Sequence, residues 1–173
     1  MAIRGIDLTT LTLKAALDLA TLIEEEARDR YEELADQMQV HHTPDVERFF
    51  RRMVEVEQRH RDELARRRQA LFGAAPPAVS RAAIFDVEAP DYDEVRQGMS
   101  VRAALESAMR SEVKAHDFFV RALPRVTDPD VKTLFEELRD EEVEHRQWVQ
   151  AELDRLPAAS GPDGDVSDEP VAQ

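Results

Sequence analysis

Five histidines occur in the chain, and two of them stand in the same local frame. "EVEQRH", Glu55 to His60, contains Glu57-x-x-His60. "DEEVEH", Asp140 to His145, contains Glu142-x-x-His145, and the two histidines lie 85 residues apart. Residues three apart on a helix project from one face, so each pair presents a carboxylate and an imidazole together. Such a mixed oxygen and nitrogen pair is a donor set for a divalent cation, with little selectivity of its own among iron, manganese and zinc. One Glu-x-x-His is weak grounds for a metal in a chain with 37 acidic residues. Two of them in repeat register are a much stronger signal.

Hydropathy at spacings of three and four places both pairs on apolar seams. One stripe runs Leu13, Leu17, Ala20, Glu24, Ala27, Tyr31, Leu34, Met38, and a second Val46, Phe50, Met53, Glu57, His60, Leu64. A third runs Val101, Leu105, Ala108, Glu112, Ala115, Phe119, Ala122, and a fourth Val131, Phe135, Leu138, Glu142, His145, Val149, Leu153. Near its middle each stripe carries one glutamate that the pattern buries. A lone buried carboxylate costs several kcal/mol unless it is paired or bound to metal. Four at one level repel one another and take up protons. Two divalent cations bring four positive charges to match them, and the imidazoles add neutral donors. The spacing lets Glu57 and His60 share one ion and Glu142 and His145 the other. The competing reading is a bundle without metal that keeps its buried Glu–His pairs as structural hydrogen bonds.

The elements that must position these residues are four helices, expected at about Asp7 to Val40, from "HHTP" to about Phe72, about Ser100 to Leu123, and from "VTDP" to about Leu156. Thr43-Pro44 and Asp128-Pro129 each look like an N-cap followed by a first-turn proline. Short joins make helices 1–2 and 3–4 antiparallel pairs. The long 2–3 connection reads as a crossover along the bundle, with a short helix of its own near "DYDEVRQ". It could let helix pairs exchange between chains, so a homodimer is expected. The halves repeat: "TPDVERFFRRMVEVEQRHRDEL" overlays "DPDVKTLFEELRDEEVEHRQWV". The expected fold is an all-α four-helix bundle over residues 1–157. The tail over residues 158–173, rich in Pro, Gly, Ser and Asp, is expected to be disordered.

Composition narrows the function. A net charge of -14 argues against nucleic acid and anionic membrane surfaces as partners and favours cations. With no cysteine in the chain, disulfides, thiolate catalysis and cysteine-ligated zinc or iron–sulfur centres are excluded. No signal peptide is read at the N-terminus and no stretch approaches a membrane span, so a cytoplasmic location is expected.

At this point the sequence resembles the rubrerythrin branch of the ferritin-like superfamily over about residues 10 to 156. The resemblance rests on "EEEARDRY", "EVEQRH", "SEVKAHDFF" and "DEEVEH". One Glu from each of two helices plus Glu-x-x-His from the other two is the general pattern of ferritin-like di-metal bundles. The resemblance implies a di-iron site with Glu24, Glu57, His60, Glu112, Glu142 and His145 as ligands, manganese or zinc being alternative occupants. It also implies that Tyr31 hydrogen-bonds a ligating carboxylate. The implied chemistry is oxidation of Fe(II) by peroxide or dioxygen, as a peroxidase drawing on an external electron donor or as a ferroxidase. The alternative is a non-catalytic iron-binding, buffering or delivery protein. Two departures stand out. The four cysteines of a rubredoxin module are missing, and the extra carboxylate the family carries one turn from the helix-3 ligand is missing too.

Other residues read more blandly. His116 is expected to lie beside the ligands or partly exposed rather than to bind metal. His41 and His42 read as a solvated turn. Glu25 and Glu26 are expected to face solvent or a neighbouring subunit, Trp148 to pack in the bundle or an interface, and the basic run "RHRDELARRRQ" to be a solvated helix end.

Overall fold

A computed structural model describes residues 6–40, 42–81 and 100–157. The helix expected near "DYDEVRQ", His41 and the tail from residue 158 lie outside the described residues. Helices α1 (Leu13–Val40), α2 (Pro44–Phe72), α3 (Val101–Ala122) and α4 (Pro129–Arg155) make the bundle, and no strand occurs among the described residues. As the short joins require, α1 packs chiefly against α2 and α3 against α4.

The ends follow local chemistry. Helix α1 begins at Leu13, where its apolar stripe begins, and not near Asp7 as expected. Asp7 Oδ1 accepts hydrogen bonds from Thr9 N at 2.9 Å and from Thr9 Oγ1 at 2.8 Å, and that local turn competes with a helix. Thr12 then caps the helix, its Oγ1 accepting from Ala15 N at 3.3 Å. Ser100 and Asp128 cap α3 and α4 in the same way. Thr43 does not act as the expected cap: its hydroxyl donates instead to Met38 O at 3.0 Å. The first-turn prolines Pro44 and Pro129 sit where expected.

The basic run at the end of α2 is only partly solvated. Arg68 turns inward and its Nε donates to Asp18 Oδ1 at 2.8 Å. Its Nη1 donates to Gly73 O at 2.9 Å. Asp18 is buried, and its other oxygen accepts from Lys14 Nζ at 3.1 Å and Ala78 N at 2.7 Å. Burial alone would raise the Asp18 pKa, but these donors hold it below the usual aspartate value. One buried carboxylate thereby fixes the chain leaving α2.

Two apolar clusters fill the bundle. One includes Leu17, Ile23, Leu64, Phe119, Phe135 and Leu138. The other includes Leu34, Met38, Phe50, Met53, Leu105 and Val149. On all four helices the gap between the clusters falls at the seam glutamates: Glu24 between Ile23 and Tyr31, Glu57 between Met53 and Leu64, Glu112 between Ala108 and Phe119, Glu142 between Leu138 and Val149. The core is thus two apolar blocks with a polar layer between them. Burial of this hydrocarbon draws the four helices together on both sides of the layer.

Candidate metal centre

All four seam glutamates are buried, Glu57 to 1% exposure, and so is His145 at 3%. His60 keeps a side chain 16% exposed. The six side chains converge from four helices. His145 Nδ1 lies 3.2 Å from Glu112 Oε2, 3.3 Å from Glu57 Oε1 and 3.7 Å from Glu142 Oε2. His60 Nδ1 lies 3.7 Å from Glu24 Oε2 and 4.0 Å from Glu57 Oε2. The two imidazoles stack with ring centroids 5.4 Å apart and planes 10° from parallel. Glu57 is the middle of the layer. It lies closer to His145 across the bundle than to His60 on its own helix, so the pairing expected from Glu57-x-x-His60 is shared between both histidines.

The donors fall into three groups, each drawn together within 4.8 Å: Glu57, His60 and His145; Glu112, Glu142 and His145; and Glu24, His60 and Glu141. The last contains a residue that the seam pattern does not single out. Glu141 Oε2 stands 3.8 Å from His60 Nδ1, and its side chain is 41% exposed.

Tyr31 spans the boundary of the layer. Its ring packs in an apolar cluster, 6.0 Å from Phe50, and its hydroxyl donates a hydrogen bond to Glu112 Oε1. A tyrosine suits that position, having an apolar body and one polar tip. The bond crosses from α1 to α3 and fixes the Glu112 carboxylate.

Charges in the layer are far from their solution values. Burial raises the pKa of Glu57 well above the usual carboxylate range, with Glu24 and Glu112 adding to the rise and His145 opposing it. Burial would also raise Glu112, but His145, Glu142 and Tyr31 outweigh it and lower its pKa. Burial alone would lower His145, whereas the surrounding Glu57, Glu112 and Glu24 push it up to about 10. Burial, followed by the charges of Glu112 and Glu57, raises the Tyr31 phenol well above its ordinary value. The metal-free layer therefore holds protons at neutral pH to offset its carboxylates.

Three buried donor atoms here, Glu57 Oε1, His60 Nδ1 and His145 Nε2, have no hydrogen-bond partner. Buried polar atoms are rarely left so.

The remaining candidates stand aside. His116 Nδ1 lies 3.3 Å from Asp117 Oδ1 and joins none of the donor groups. His42 is exposed, at φ 54°. Glu26 is taken up by Arg81. Trp148 is 40% exposed, and its ring lies 5.4 Å from that of His145. No described helix is long and apolar enough to cross a membrane.

Comparison with known proteins agrees with this architecture. The crystal structure of an uncharacterised conserved protein from Magnetospirillum magnetotacticum MS-1 is similar, at 29% sequence identity and a TM-score of 0.73. The similarity covers 87% of this chain and 99% of that one. No curated protein matches at a significant level. The rubrerythrin family matches residues 15–153. That span takes in the whole polar layer, from Glu24 on α1 to His145 on α4, and the chain belongs to the rubrerythrin family.

Proposed function

We propose that this chain oxidises Fe(II) with peroxide or dioxygen at a two-ion centre held by Glu24, Glu57, His60, Glu112, Glu142 and His145. Family membership supports iron binding and oxidoreductase chemistry at the level of the family. The observation that carries the reading for this chain is the buried layer itself. Four carboxylates and two imidazoles meet there, and three buried donor atoms lack any hydrogen-bond partner. Without cations that arrangement is expensive. The donor set fits iron, combining hard carboxylate oxygens with imidazole nitrogens.

In this reading Glu24 and His60 hold one ion and Glu112, Glu142 and His145 the other, with Glu57 between them. Bound iron supplies one electron per ion, enough to reduce peroxide to water or dioxygen to peroxide. The chain's own residues do the rest. The apolar clusters on either side exclude bulk water. Tyr31 orients Glu112. His145, neutral once an ion is bound, gives up the proton that Glu57 and Glu112 stabilise in the metal-free layer. No cysteine lies within these 173 residues, so repeated turnover draws electrons from fresh Fe(II) or from a donor outside this chain.

The test is anaerobic Fe(II) loading followed by stopped-flow mixing with hydrogen peroxide or with air-saturated buffer. Oxidation at least about tenfold faster than free Fe(II) in the same buffer is expected for one oxidant. One peroxide consumed per two irons marks the peroxidase branch, and sustained dioxygen uptake with added Fe(II) marks the ferroxidase branch. A loaded protein that oxidises no faster than free Fe(II) sinks the enzyme reading and leaves an iron buffer or delivery protein.

A further inference from the structure

We infer that Glu141 is a seventh donor of the centre, completing the His60 position on its solvent side; this rests on the reading of the layer as a metal centre. Glu141 immediately precedes Glu142 on α4. Consecutive residues on a helix diverge by about 100°, so Glu142 enters the layer while Glu141 leaves α4 at its edge. There it reaches His60 of α2, and Glu24 of α1 approaches the same nitrogen from 3.7 Å.

The donor groups show what this position completes. His145 is grouped with two carboxylates, Glu112 and Glu142. His60 is grouped with Glu24 and Glu141. Glu57 is grouped with both histidines and so belongs to neither position alone. Without Glu141, the His60 position has one carboxylate of its own. With it, each position has two carboxylates and one imidazole around the shared Glu57.

The distances favour a shared cation over direct bonding. At 3.8 Å, Glu141 Oε2 is beyond hydrogen-bond reach of His60 Nδ1, and that buried nitrogen has no hydrogen-bond partner. Oxygen and nitrogen donors bind such cations at about 2.0–2.2 Å, so two donors of one ion stand roughly 3–4 Å apart. The pairs of His60 with Glu24 and Glu141 fall in that range.

The two positions also differ in access. Glu112, Glu142 and His145 are all buried, whereas the Glu141 side chain is 41% exposed and His60 16%. The His60 position is the one that solvent reaches, and Glu141 is the donor an incoming ion meets first.

Co(II), a spectroscopic probe that air does not readily oxidise, provides the test. The metal-free protein and its variants are titrated with Co(II), following visible absorption and counting bound metal. Wild type is expected to take two Co(II) per chain. Glu141→Gln should weaken one of the two by about tenfold or more, change the absorption that grows with it, and leave the other within about twofold. Glu141→Ala, which removes even the amide oxygen, should weaken it at least as much. Glu144→Gln, an exposed neighbour on α4, should behave as wild type. Thermal melting of each metal-free variant confirms its fold. If both Glu141 variants bind two Co(II) with wild-type affinity and spectrum, Glu141 is no donor, while the metal centre stands. If wild type itself fails to bind two Co(II), the metal centre and the seventh donor fall together.

Discussion

Replacing Glu57 and Glu142 together by leucine is expected to abolish metal loading and, in the same protein, to stabilise the metal-free fold. On the proposed reading the two effects have opposite signs, because carboxylates that serve bound cations burden the metal-free fold. Glu57 stands between both histidines, and Glu142 belongs to the His145 group. Losing both removes carboxylates from each ion position, a loss of more than about 100-fold in affinity, given that even outer partners of a ligand are worth about 10–100-fold. In the metal-free protein both carboxylates are buried, and Glu57 is crowded by Glu24 and Glu112. Replacing such groups by apolar residues of similar size is often neutral or stabilising by about 1–4 kcal/mol. His145 keeps Glu112 at 3.2 Å, so no charge is orphaned. Metal analysis and thermal melting of the metal-free variant measure the two effects. The structural alternative, buried Glu–His hydrogen bonds without metal, predicts the reverse: a variant that melts several degrees lower and a wild type without retained metal.

The second large effect is on pH. Metal affinity should rise steeply from about pH 6 to pH 9. In the metal-free layer the pKa of His145 is about 10 and that of Glu57 is well above the ordinary carboxylate value. Both raised values mean that protons are held below those pKa values and must leave before the atoms can bind an ion. Binding is therefore favoured as pH rises and the dependence flattens above about 10. One proton released gives about a tenfold gain in affinity per pH unit, and two give about a hundredfold. Anaerobic titrations in weak buffer with a pH indicator measure the released protons directly. Loading that releases no protons, with an affinity flat across this range, would show that the layer is not protonated as described.

Much of the fold and of the buried polar layer was legible because one device repeats. Each apolar seam carries a glutamate at its middle, and burying four of them at one level is costly unless they share partners. The repeat of Glu57-x-x-His60 in Glu142-x-x-His145 then fixed which helices correspond. What escaped the sequence depended on contacts between distant segments or on competition within one turn. Glu141 sits off the seam in the acidic run "DEEVEH", and its approach to His60 depends on how α4 lies against α2. The seam spacing likewise pairs Glu57 with His60, whereas the bundle sets it nearer His145. Arg68 reads as one more surface cation until Asp18, far away in sequence, is seen to receive it. The late start of α1 follows from a single side chain, Asp7, holding Thr9 in a turn. Thr43 had the right residue type for a cap but spent its hydroxyl on Met38 O.

Two ions per chain are expected in the layer between the apolar clusters. Anomalous diffraction at the iron absorption edge, from crystals of protein loaded anaerobically with Fe(II), locates them. The expected map has two peaks per chain, one beside Glu24 and His60 and one among Glu112, Glu142 and His145, with the Glu57 carboxylate between them. A map from protein shown to retain iron, but with no peak among these residues, would put the iron elsewhere and rule out a two-ion layer.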